Sequence, residues 1–380
     1  MFSAAAQTNP DGTVNVPVYV TNSANFGPSR YTIYAGIGTG PLLPYLFDTG
    51  APNFFSFYDT NSSSASTNGS FTFSTGLTYY YEGITSMVSL GTPGTAIVTS
   101  DPLQLAQVRD TQSNIFHGTP ILPVSNPAMP QADGTYGDFG AGFYGNSLLA
   151  TVLTMIPLNR SLSLGYTLDL TAATLAATGQ GSLTLGIPAS LLAGYATNPE
   201  VIRIDLSPSG TNIPTAGGGS IPGYDKAQVA GVSVTLDGTN GAAITTNMPL
   251  VLDTGGGPNA VLYAANLDPF NNATNLMVST TNPPGTTLYN VTGNTTPWGG
   301  SVDVITNLNG GVRLNSGGYF FESNIVTFDL SSGYVYVLPV QTVPEPSSRW
   351  LLLGGAAALL GYGLFQNGRP SQNGVATPAR

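Results

Sequence analysis

The segment PYLFDTGAPNFFSFY at 44–58 returns as PLVLDTGGGPNAVLY at 249–263, with one extra Gly in the second copy. Each copy has a Pro, two apolar residues directly before Asp-Thr-Gly, and a Pro-Asn pair after it. Asp48 and Asp253 are far enough apart for each to lie in its own half of the 380-residue chain. If two related halves pack about a pseudo-twofold axis, the two loops meet. A single Asp-Thr-Gly also reads as an ordinary strand-to-turn signal, because Asp and Gly are common there. Two copies on apolar strands, in a chain with only 7% charged residues, constrain the fold far more.

The rest of the chain favours strands. Helix formers are sparse, whereas 48 Gly, 29 Pro, 19 Tyr and 16 Phe, with abundant Thr, Val and Ser, suit short strands joined by tight turns. The expected body is all-β. In RYTIYAGIGTGPLLPYLFDTG, Tyr31, Ile33, Ala35 and Ile37 alternate before Gly38-Thr39-Gly40-Pro41, which predicts a hairpin. GIGTG is not a dinucleotide fingerprint, since that motif opens a helix and here Pro41 and Pro44 follow. Residues 147–156, SLLATVLTMI, read as the one clear helix. Ser/Asn/Thr-rich stretches such as 60–70 read as exposed loops.

Composition removes several chemistries. Nine Lys and Arg against 19 Asp and Glu, net charge −10, oppose phosphate contacts, so nucleic acid is not an expected partner. There is no cysteine, so disulfides, thiolate nucleophiles and Cys-ligated metals are absent. His117 is the only histidine, in a turn-like NIFHGTP context, and no Gly-x-Ser-x-Gly elbow or Asp-x-Asp-x-Asp-Gly calcium loop occurs. No cofactor or metal is expected, and any catalysis falls to carboxylates.

At this point the chain resembles the pepsin-like aspartic proteases over most of residues 29–339. YTIYAGIGTGPLLPYLFDTGAPNFF is similar to that family's first hairpin and catalytic loop. FTFSTG followed by YEGITSMVSLG looks like its flap hairpin. GSLTLGI looks like the strand closing the first lobe, and YFFESNIVTFDLSSGYVYVLP resembles the last strands of the second. The resemblance implies a bilobal acid-protease fold, with a first lobe over 29–190 and a second over 191–340. It implies Asp48 and Asp253 as the catalytic pair, with Thr49 and Thr254 fixing the loops through their hydroxyls and Gly50 and Gly255 allowing close approach. Phe73, Thr75 and Gly76 would form the substrate flap. Two carboxylates held together cannot both ionise cheaply and share one proton; the pair can then activate a water and polarise a peptide carbonyl.

Four departures stand out. The family places Ser or Thr after Asp-Thr-Gly, to hydrogen-bond the acid's outer oxygen, where this chain has Ala51 and Gly256; retroviral-type relatives also use Ala. Phe73 stands nearest the flap Tyr, with Tyr79 to Tyr81 as alternatives. The apolar-apolar-Gly segments supporting the catalytic loops are blurred to TYGDFGAG and LNSGG, where Asn315 and Ser316 are poor core residues. No long basic propeptide is visible.

The termini read as routing. Residues 1–28 are set apart as an N-terminal segment; Ala4-Ala5-Ala6 before Gln7 would fit the cleavage site of an export-signal remnant, although no basic or apolar leader region precedes it. From 341 to 369, Pro-Glu-Pro is followed by an apolar run from Trp350 to Phe365 and then Arg369. This resembles a PEP-CTERM sorting signal, which implies a membrane helix before processing and an exosortase-like partner; a lone Arg369 replaces the usual basic cluster. Residues 370–380 would be a disordered tail.

The sequence therefore predicts a monomeric, exported aspartic endopeptidase acting on polypeptides in or outside a bacterial envelope. Two alternatives stay open: a catalytically silent pepsin-like fold binding at the cell surface or matrix, and an enzyme whose main reaction is release of its own body from the C-terminal anchor.

Overall fold

The structure is a computed structural model that describes residues 8–23, 27–58, 67–73, 77–113, 122–123, 130–131, 134–143, 151–237, 243–256, 260–263, 275–281, 284–292, 303–305 and 313–340. Residues up to Val340 form one compact unit. Segment 341–369, its apolar helix, and 370–380 lie outside the described residues, as do Thr75, Gly76 and His117.

Period-two alternation organises the body. Tyr31, Ile33, Ala35 and Ile37 lie on the buried face of strand Gly27–Ile37, which pairs with Leu43–Asp48 from Thr32↔Leu46 to Ala35↔Leu43. The hairpin read from the sequence is present, with Gly38 supplying the positive φ of its turn. Val14, Val16 and Val18 alternate in the same way on Val14–Ser23. That strand corrects the reading of 1–28 as a segment apart: its residues 14–23 pair with Gln180–Ile187 and Gly27–Ile37. Pro17 is accommodated because that part of the strand is paired on one side only.

The pairing around each Asp-Thr-Gly is repeated. Leu43–Asp48 lies parallel to Gly137–Gly140, whose other edge takes Phe54–Ser56 antiparallel. In turn Phe54–Ser56 runs parallel to Leu103–Ser113. In the second half Ala243–Val251 lies parallel to Arg313–Asn315. There too, the other edge takes Val261–Tyr263 antiparallel, and that strand runs parallel to Asp303–Ile305. TYGDFGAG and LNSGG thus occupy equivalent support strands despite their blurred sequences.

A continuous antiparallel series joins the two halves: Val14–Ser23, Gln180–Ile187, Ser163–Asp169, Asn324–Asp329, Tyr334–Pro339 and Ile202–Thr215. At its middle Thr167 faces Thr327, their hydroxyls 2.8 Å apart. Beneath the first Asp-Thr-Gly, Phe47, Phe54 and Phe139 are fully buried, with ring centroids 5.3 Å apart for Phe54–Phe139 and 6.0 Å for Phe47–Phe139. Each such side chain contributes about 1.5–3 kcal/mol through burial. In the second half the repeat puts Leu252 and Ala260, both buried, where the first has Phe47 and Phe54.

The helices differ from expectation. Within 147–156 the described residues form only a short 3-10 turn, Val152–Met155. All four of its residues are buried, so the apolar run reflects burial on every side and not one face of a helix. Among the described residues the regular helices are Ala172–Thr178, Ala189–Thr197 and Tyr319–Ser323, the last within a stretch read as strand. The division drawn at 190/191 falls inside Ala189–Thr197.

Candidate active site

Asp48 ends a strand that runs into the core, and Thr49 and Gly50 turn the chain back. Asp253 follows Val251 by two residues in the same manner. Both acids are nearly buried, 6% and 8% exposed. The loops are locked to each other by reciprocal bonds. The Thr49 hydroxyl donates to the Leu252 carbonyl at 2.8 Å and accepts from the Thr254 N–H at 3.0 Å. The Thr254 hydroxyl donates to the Phe47 carbonyl at 2.7 Å and accepts from the Thr49 N–H at 3.0 Å. Each buried hydroxyl uses its one proton and a lone pair, so four backbone groups of the facing loops are satisfied.

This lock sets the acids against each other's turns. A methyl placed on Gly50 would lie 2.6 Å from both Asp253 carboxyl oxygens, and one on Gly255 would lie 2.5 and 2.6 Å from those of Asp48. No residue larger than glycine fits at either position without moving an acid. The Gly50 N–H donates to Asp48 Oδ1 at 2.6 Å. On Asp253, Oδ1 accepts from the N–H groups of Gly255 at 2.8 Å and Gly256 at 3.0 Å, and Oδ2 accepts from Asn315 Nδ2. The support strands hold the loop backbones: Ala141 N–H donates to the Asp48 carbonyl at 2.8 Å, and Asp253 N–H donates to Ser316 Oγ at 3.1 Å. Behind the first loop, Tyr166 donates to the Ala141 carbonyl at 2.9 Å. Burial pushes the Tyr166 phenol well above its usual range, which keeps it a donor. Burial, with the charge of Glu322 adding to it, does the same for Tyr31, which donates to Glu322 at 3.1 Å.

All six predicted loop residues, Asp48, Thr49, Gly50, Asp253, Thr254 and Gly255, therefore come together. The stretch expected to be the flap contains an antiparallel hairpin of Thr67–Thr72 and Leu77–Ser86, with Phe71 opposite Tyr79; Thr75 and Gly76 lie outside the described residues. The Phe73 N–H donates to the Leu77 carbonyl at 2.8 Å. Its ring packs at 4.8 Å from Tyr79, 5.0 Å from Phe71 and 5.8 Å from Phe55, so the hairpin root is anchored on the strand that follows the first Asp-Thr-Gly loop. Of the alternatives, Tyr79 is buried in that cluster, Tyr81 contacts Phe55 and Tyr80 is exposed. Asn315 and Ser316, which looked only like weak core residues, both contact Asp253. The available signal was their polarity within a buried strand, since buried polar groups need partners.

Among the described residues no group of three or more His, Cys, Asp or Glu is placed to hold a metal ion, and no helix is long and apolar enough to cross a membrane. No protein-family model and no curated protein matches the chain. Among solved structures, the aspartic proteinase from Irpex lacteus is similar, with a TM-score of 0.53 and 16% identity over 88% of this chain and 99% of that one. At that identity the likeness is one of fold: the chain is mostly β and folded like a pepsin-like aspartic proteinase.

Proposed function

We propose that the chain is an aspartic endopeptidase whose catalytic pair is Asp48 and Asp253. The observation that carries this reading is the reciprocal Thr49–Thr254 lock, which sets each acid against the glycine of the facing loop. In the proposed reaction the pair holds one proton and a water lies between the acids. The ionised carboxyl takes a proton from the water as its oxygen bonds to the scissile carbonyl carbon, while the protonated carboxyl gives its proton to the carbonyl oxygen. Return of a proton to the departing nitrogen breaks the C–N bond and releases an amine and an acid. No covalent intermediate forms.

The test is cleavage of an unfolded protein substrate across pH. The rate should be bell-shaped and acid-favoured: it falls at high pH when the shared proton is lost, and at very low pH when both acids are protonated. Folded protein that cleaves nothing from acidic to neutral pH would remove the enzyme reading; binding of a transition-state-mimicking peptide without cleavage would then favour a silent binding fold.

Envelope routing belongs to the same proposal, supported by the Pro-Glu-Pro and apolar run at 341–369. In a host with a sorting enzyme, intact-mass analysis should find a chain shortened near Val343. Recovery of the chain ending at Arg380 from such a host would remove the sorting reading and leave the peptidase reading untouched.

A further inference from the structure

Gly256 gives the second loop no side chain beside Asp253, and a buried amide occupies that space. A Cβ on Gly256 would lie 2.9 Å from Asn315 Nδ2 and 3.0 Å from Asn315 Oδ1. The backbone there is not in the left-handed region, so the space, and not the conformation, excludes a side chain. Asn315 is 3% exposed and sits at the end of the strand parallel to Ala243–Val251, opposite Val251.

Its orientation is fixed by its own partner. The Gly317 N–H donates to Asn315 Oδ1 at 3.0 Å, and of the two amide atoms only the oxygen accepts, so the amide nitrogen faces Asp253 Oδ2. Asp253 thereby receives three N–H donors, two on Oδ1 and one on Oδ2. A carboxylate has about four lone-pair sites in all, which leaves one, on Oδ2. With both lone pairs of Oδ1 and one of Oδ2 taken by N–H donors, Asp253 has little place left to carry a proton; Asp48 lies against Gly255 of the same loop.

The geometry points to Asn315 as the positioning residue of the catalytic pair: it orients Asp253 as the acceptor that takes the water proton through its one open lone pair, and leaves the proton-donating role to Asp48. The inference rests on the peptidase reading above and deepens it. It also makes positions 256 and 315 mutually exclusive suppliers of one hydrogen bond.

Three variants test this. N315L keeps the branched four-atom outline and removes the donor to Asp253 along with the acceptor for the Gly317 N–H; it should lower kcat/KM by about 10- to 100-fold, the scale of one bond to a charged group, with KM little changed and the acid limb of the pH profile moved upward. G256S alone should lose activity, because its side chain meets the amide. In an N315A background the same serine should restore much of the lost rate, since its hydroxyl enters the vacated space beside Asp253. A wild-type rate and an unmoved acid limb in N315L would overturn the inference, as would a serine at 256 with the same effect in both backgrounds. Circular dichroism of each variant separates misfolding from misalignment. If the folded wild type cleaves nothing, the peptidase reading fails separately, and the carbon-13 shift of the Asp253 carboxyl at one fixed pH, assigned with D253N, still decides, because it reports the bond from Asn315 to Oδ2. The signal should move in N315L, and an unchanged signal would sink the role given to Asn315.

Discussion

Asp48→Asn and Asp253→Asn are each expected to lower kcat by on the order of 10⁴-fold, the scale seen when the buried carboxylate of a serine-protease triad is replaced by its amide. Asn keeps the size and one carbonyl oxygen, so the Gly50 bond to Asp48 Oδ1 and the Gly255 and Gly256 bonds to Asp253 Oδ1 can persist. What it removes is the ability to take or give a proton. KM should therefore move little while kcat collapses, since polypeptide binding does not require the acids to titrate. The double variant should be scarcely worse than either single one, because in the proposed reaction the pair shares one proton and acts as a unit. The informative measurement is the full set of rates for wild type, both singles and the double, on one substrate with folding verified. A single variant retaining a large part of the activity, or losses that multiply in the double, would show that the two acids do not work together.

The legible parts of this chain were those with a local physical signature. Tyr31, Ile33, Ala35 and Ile37 announce a strand because these apolar residues recur with period two, and all four are buried. The Asp-Thr-Gly copies announce equivalent loops because their flanks repeat. Helices Ala172–Thr178 and Ala189–Thr197 gave no comparable signal: neither has a buried residue, so no apolar stripe forms. The first is specified at its ends. The Thr171 side chain accepts from the Thr174 N–H, and Gly179 closes the helix at φ +73°, donating to the Leu175 carbonyl. The support strands were blurred for a different reason. Their register depends on parallel pairing with distant chain, Gly140 opposite Asp48 and Asn315 opposite Val251. A polar residue there is judged by a partner that sequence spacing does not reveal, and for Asn315 that partner is Asp253, some sixty positions away. Phe73, read as a flap residue, packs at the hairpin root, and its aromatic neighbours come partly from Phe55, which sequence spacing does not reveal.

Thr254→Val should be the most destabilising conservative change at the site. Valine matches threonine in shape, so the packing around Phe47 is retained and only the hydroxyl is lost. That hydroxyl accepts from the Thr49 N–H and donates to the Phe47 carbonyl, both on buried residues, so two backbone groups lose their partners at once. A buried group left without its hydrogen bond costs about 1–3 kcal/mol, giving a loss of roughly 2–6 kcal/mol, a large share of the 5–15 kcal/mol typical of a folded protein. Thr49→Val should cost a similar amount, because it strips the Thr254 N–H and the Leu252 carbonyl. The double variant should cost less than the sum, since once one side of the lock opens, water reaches the groups of the other. Thr254→Ser separates hydroxyl from bulk: it keeps both bonds and removes one methyl, a change of about 0.8 kcal/mol. The measurement is the urea midpoint at constant slope, with peptidase rate alongside. Displacing a catalytic group by about 1 Å can cost about 10²-fold in rate, so activity should fall in the valine variants at denaturant concentrations where they are still folded, and persist in Thr254→Ser. Equal midpoints and rates for the valine and serine variants would mean that the hydroxyl bonds neither hold the loops together nor align the acids they carry.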